Sequence, residues 1–92
     1  MQTSDASLNP KGYQRITGLS TVKSLTVPGG VRTVMLKCET QPVRWRDDGT
    51  DPTTTDGFLL DAGEEFMYTG KPQKLRFIET VPGSVLHANF YG

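Results

Sequence analysis

Residues 31–47 read VRTVMLKCETQPVRWRD, two apolar-alternating runs separated by Thr40-Gln41-Pro42. A strand turns successive side chains to opposite faces, so a period of two marks a half-buried strand. In the first run, Val31 to Glu39, Val34, Leu36 and Cys38 fall on one face, and Arg32 falls on that same side near its start. In the second, Val43 to Asp47, Val43 and Trp45 turn inward while Arg44 and Arg46 turn outward. Pro42 cannot donate to a ladder and separates the two. The stretch therefore reads as two strands joined by a tight connection, each with one face in a core.

Working outward, the same grammar covers the chain. Gly and Pro recur in Pro28-Gly29-Gly30, Asp48-Gly49, Asp56-Gly57, Ala62-Gly63, Gly70-Lys71-Pro72 and Pro82-Gly83, with runs rich in Val, Leu, Thr, Phe and Tyr between them. Short strands punctuated by turn residues mark an all-β domain. Further strands are expected at 13–16, 19–27, 58–60, 65–68, 75–79 and 85–91. Phe66 and Tyr68 face together, and Leu75, Phe77 and Glu79 oppose Arg76 and Ile78. Seven or eight short antiparallel strands need two packed layers, a compact β-sandwich of jelly-roll or Ig-like kind. Trp45, Val43, Leu36, Phe66 and Phe77 are the expected core. Residues 1–12 are polar and expected as an arm, with residues 13–92 as the single sandwich domain.

The chain has 92 residues, so its core is thin and association or another staple would help it. Cys38 is the only cysteine, which excludes an intrachain disulfide. Ten basic and ten acidic residues give zero formal net charge, which argues against phosphate neutralisation on nucleic acid. The opening MQTSDASLNPKGY carries no basic segment followed by an apolar one, so no secretory signal is expected, and apolar runs are too short for a membrane helix.

The VRWR strand runs straight into an acidic loop holding Asp47, Asp48, Asp51 and Asp56. Carboxylates at such density suggest calcium, but counted from Asp47 the glycine falls at position 3 and Phe58 at position 12, unlike an EF-hand. Asp-Gly and Thr side chains also make turns, so a turn-rich contact loop without metal is expected. Arg44 and Arg46 lie opposite Trp45 on a regular strand and cannot form one stacking platform with it. With Arg76 from another strand they are expected to form a protein interface, together with the four aspartates. For catalysis the inventory is sparse. His87 reads as a hydrogen-bonded strand residue and Cys38 as a small buried hydrophobe. No phosphate loop, zinc spacing or nucleophile elbow is present. No enzyme and no cofactor are expected.

The second half of the chain resembles small structural proteins of tailed bacteriophages and prophages. The resemblance rests on VRWRDDGTDPT at 43–53, Ala62-Gly63-Glu64, Phe66 and Tyr68, Gly70, Arg76-Phe77-Ile78 and Phe90-Tyr91. It implies a β-sandwich virion component made in the bacterial host cytoplasm. A head decoration (cement) protein that binds the major capsid protein and copies of itself, as a trimer, is the leading expectation. A tail, connector or fibre-associated module is the alternative, binding host-surface carbohydrate through exposed aromatics such as Trp45, Tyr13 or Tyr91.

Overall fold

A computed structural model of the chain describes residues 9–92. Among these residues eight strands form: β1 (Pro10–Ile16), β2 (Lys23–Ser24), β3 (Thr33–Glu39), β4 (Val43–Arg46), β5 (Phe58–Leu60), β6 (Glu65–Thr69), β7 (Arg76–Glu79) and β8 (Val85–Tyr91). One 3-10 turn, Pro72–Lys74, leads into β7. The strands build two antiparallel four-stranded sheets, ordered β1-β8-β3-β6 and β2-β7-β4-β5.

The pairings are nested. β1 pairs with β8, β2 with β7, β3 with β6 and β4 with β5. The chain is thus one long antiparallel ribbon folded at the β4–β5 hairpin. It is wound so that alternate pairs fall in opposite sheets, and β3·β8 and β4·β7 close the ladders. That winding is the jelly roll. An Ig-like sandwich would instead join sequence neighbours by hairpins within each sheet, and here only β4·β5 does so.

The period-two reading of β3 and β8 holds residue by residue. Val34, Leu36 and Cys38 are fully buried beside their ladder partners Phe90, Ala88 and Leu86. Val43, Leu60 and Phe77 face them from the second sheet. Of the expected core, Val43, Leu36 and Phe77 are buried, while Trp45 and Phe66 are half-buried and pack against the cluster.

Four expectations are corrected. Arg32 is exposed rather than aligned with the inner face, because β3 begins only at Thr33 and the Arg32 carbonyl accepts from Gly70 N–H at 3.0 Å. The stretch 19–27 contributes only the two-residue β2, although Leu19 and Leu25 are buried. It crosses between the sheets, and one of its carbonyls, at Leu19, accepts from Glu79 N–H at 2.9 Å. Leu75 precedes β7 rather than opening it, its N–H bonded back to Pro72 at 3.1 Å. Finally, β1 starts at Pro10, so residues 10–12 of the expected arm belong to the sheet. A register shift between Pro10 and Gly12 marks a bulge there, and Asn9 and Gly92 exchange backbone hydrogen bonds at 2.9 and 3.0 Å. The rest of the arm, residues 1–8, lies outside the described residues.

Glu79 shows why a carboxylate can sit on an inner face. It is only 7% exposed. Its Oε1 accepts the Gly83 and Ser84 backbone N–H groups at 3.2 and 3.1 Å, so it closes the turn from β7 to β8. A buried acceptor with two donors avoids the cost of an unpaired charge.

Candidate functional site

The acidic loop and the arginines of β4 are partners of each other. Arg46 grips Asp48 in a two-point contact, Nε to Oδ1 at 3.0 Å and Nη2 to Oδ2 at 2.5 Å. Its Nη1 reaches Asp56 at 3.3 Å. Asp48 also accepts Thr50 N–H at 3.3 Å, and Thr53 and Asp56 exchange backbone bonds at 2.9 and 3.3 Å. Arg46 stands directly opposite Arg76 in the ladder. Like charges in that position repel, and Asp48 and Asp56 offset the repulsion. The acidity of the loop therefore answers the basicity of the strand that precedes it.

Arg44 has a different task. Its Nη1 donates to the Gly57 carbonyl at 3.0 Å, fastening the far end of the loop to β4, while its Nε is buried without a partner. Gly57 has φ +132°, a conformation that residues with a Cβ rarely adopt. A Cβ there would lie 3.1 Å from Pro52 Cβ, 3.2 Å from the Trp45 carbonyl and 3.3 Å from Arg44 Cβ. Gly57→Ala is therefore expected to destabilise the domain by about 1–3 kcal/mol, read as a lowered urea midpoint with an unchanged slope.

Beneath the loop, aromatic rings close the open side of the sandwich between edge strands β5 and β6. Trp45 stacks on Phe66 at 5.2 Å, leans on Phe58 at 5.0 Å and meets Tyr68 edge-on at 6.1 Å. The Tyr68 hydroxyl donates to Asp47 at 2.7 Å and accepts Lys71 N–H at 3.3 Å. Burial, and then the Asp47 carboxylate, push the tyrosine up from its ordinary value. Trp45 and Phe66 reach across from opposite sheets, and Phe58 remains 66% exposed at the rim. A cleft of about 560 Å³ opens there, lined by Arg46, Asp47, Asp48, Asp56, Gly57 and Phe58.

Alternation also places the interface candidates. Arg44 stands opposite Leu59 on one side and Ile78 on the other, and Arg46 opposite Arg76. All five share the outer face of the β2-β7-β4-β5 sheet. Arg76 is held by the Gln73 and Leu75 carbonyls at 2.9 and 3.0 Å. Asp51 is exposed on the loop. Among the described residues, no three His, Cys, Asp or Glu side chains converge as a metal site.

Cys38 and His87 face opposite sides of their sheet. The Cys38 thiol lies in the core and donates to the Gln41 carbonyl at 2.8 Å, and burial pushes its pKa up. His87 is outside, its Nδ1 2.6 Å from the Tyr13 hydroxyl and its Nε2 2.5 Å from Glu39. That chain across β1, β8 and β3 carried no sequence signal, because it exists only once those strands are paired.

The Arg46–Asp48 contact gives a signed pH prediction. The hydrogen bonds from Arg46, which stays charged at every accessible pH, hold Asp48 below the ordinary aspartate value. A carboxylate lowered in this way stabilises the fold above its unfolded pKa and loses that contribution as pH falls through the folded one. Stability is expected to fall on acidification through and below the ordinary aspartate range, and Asp48→Asn is expected to fall less steeply. Urea midpoints measured across that range check this, and equal slopes would show that the pair contributes nothing.

Against known protein families, curated proteins and solved structures, the chain matches none. What fold and site define together is a class: a small jelly-roll sandwich with an aromatic-floored cleft at one rim and an arginine-bearing outer sheet face.

Proposed function

We propose that the protein is a non-enzymatic bacteriophage virion component, a head decoration protein that binds the capsid and copies of itself through the outer face of the β2-β7-β4-β5 sheet. The observation that carries this reading is the row Leu59–Arg44–Ile78 with Arg46 and Arg76 beside it. Leu59 is 45% exposed on edge strand β5, and apolar groups bracketed by arginines have the composition of protein interfaces. Intramolecular hydrogen bonds already orient the guanidinium groups, so docking orders few side chains. The resemblance of residues 43–91 to phage structural proteins supports the same reading. So does the jelly roll, by analogy with the architecture of viral capsid proteins. In this arrangement each contact is modest and the repeated lattice multiplies it.

The test needs a variant that spares the loop. Reversing Arg44 or Arg46 would release Gly57 or leave Asp48 and Asp56 facing another carboxylate. Leu59→Ala combined with Arg76→Ala truncates the outer face without placing a carboxylate beside Arg44 or Arg46, and gives up only the Arg76 bonds to the Gln73 and Leu75 carbonyls. The variant is expected to keep its circular dichroism, to lose higher mass in light scattering, and to stop co-sedimenting with phage heads. Unchanged mass and unchanged co-sedimentation would overturn the assignment of this face.

A further inference from the structure

The rim cleft adjoins that outer face and shares Arg46 with it, and it has the chemistry of a different ligand. We infer that it binds a neutral saccharide, with a pyranose ring stacked on Phe58 and its hydroxyls bonded to Arg46, Asp48 and Asp56.

The first support is the state of Phe58. Its ring is 66% exposed because the space inward is filled by Trp45, itself stacked on Phe66. The ring cannot turn into the core, so an apolar face is held at the surface on a rigid aromatic base. Leaving such a side chain in water forgoes about 1.5–3 kcal/mol of burial. A pyranose offers the complement, a face of C–H groups rimmed by hydroxyls.

The second is the polar rim. Arg46 supplies N–H donors and the carboxylates supply acceptors, each oxygen having capacity beyond the bond it already makes. The contacts of Arg46 with Asp48 and Asp56 fix both kinds of group before any ligand arrives. Hydroxyls donate and accept, so vicinal hydroxyls can use both. The volume of about 560 Å³ falls within the range of small-molecule sites.

Charge sets the class. One arginine and three aspartates line the cleft, so its formal charge is +1 − 3 = −2. Phosphate, sulfate and sialylated sugars are disfavoured. A basic side chain would meet Arg46, which already occupies the cation's place between Asp48 and Asp56. A neutral polyhydroxylated ring suits this mixture of donors, acceptors and one aromatic face better than either ion.

The experiment is a nitrogen-15 NMR titration of the full chain with glucose, galactose, mannose, N-acetylglucosamine and their disaccharides, to tens of millimolar. Saturable shifts confined to residues 46–48 and 56–58 are expected with at least one of them. Phe58→Ala is expected to weaken binding roughly ten-fold, while Phe58→Tyr retains it. Both substitute an exposed side chain, and an unchanged spectrum away from the cleft confirms the fold. The inference is overturned if no saccharide gives saturable shifts, if Phe58→Ala binds as well as the parent, or if an arginine-rich peptide alone shifts these residues. It does not rest on the virion reading. Phe58→Ala lies off the outer face and is expected to leave the mass in light scattering and the co-sedimentation unchanged, so either idea can fail without the other.

Discussion

Phe77→Ala is expected to cost about 3–5 kcal/mol, the range for deleting a fully buried phenylalanine. Phe77 lies at the centre of the second sheet, in register with Trp45 on one side and Lys23 on the other, and has no exposed surface. Domains of ordinary stability hold only about 5–15 kcal/mol in total. In a chain of 92 residues the loss removes a large share of that. Each kcal/mol shifts the midpoint of a domain near this size by about 4–8 °C, so Tm is expected to fall by more than about 10 °C. Urea unfolding checks it, with a lowered midpoint and an unchanged slope. A loss below about 1 kcal/mol would mean that the core relaxes into the vacated volume, against the packing density typical of protein interiors.

Trp45→Ala is the second large effect, and it acts on stability and on the site together. The substitution is expected to cost about 3–5 kcal/mol, since large aromatic truncations in packed settings fall in that range. The cost has identifiable parts. Three ring contacts vanish, with Phe58, Phe66 and Tyr68. The bridge between the two sheets at the β5–β6 side goes with them, and Phe58 loses the ring that holds it outward. A double-mutant cycle with Phe66→Ala isolates one contact and is expected to return a coupling of about 0.5–1.5 kcal/mol. Near-UV circular dichroism of Trp45→Ala reports the ordering of Tyr68, whose bond to Asp47 depends on the packing of its ring. In the parent, Trp45 emission is expected to be blue-shifted and poorly quenched by iodide.

Much of this was legible from local pattern. Alternation placed Leu36, Cys38, Val43 and Trp45 on inner faces, and Gly and Pro placed the turns. It failed where the chain leaves the ladder. Residues 19–27 have strand-like composition, yet they cross between sheets and bury Leu19 and Leu25 from irregular backbone. The expected interface arginines do share one face, but their bonds to Gly57, Asp48, Gln73 and Leu75 were invisible beforehand. Those bonds form between positions brought together by the hairpin and by the 3-10 turn. Of the aromatics expected to be exposed, Tyr13 is, at 60%, while Trp45 is half-buried and Phe58 was missed. By alternation Phe58 and Trp45 share a face, and only the position of β5 at the sheet edge leaves one of them in water. Tyr91 is half-buried and bonded to Asn89 at 2.7 Å.

The sequence by itself determined the strands, the inward face of most of them and the turns between them, because a period of two and a glycine's conformational freedom are properties of neighbouring residues. Only the tertiary structure decided that the sandwich is a jelly roll, that Arg46 answers Asp48 and Asp56, that Tyr13, His87 and Glu39 line up across three strands, and that Phe58 stands over a cleft. Each of those depends on which strand lies beside which. That choice is made by the packing of the whole core, where β1 meets β8 across almost the full length of the chain and no local signal reaches.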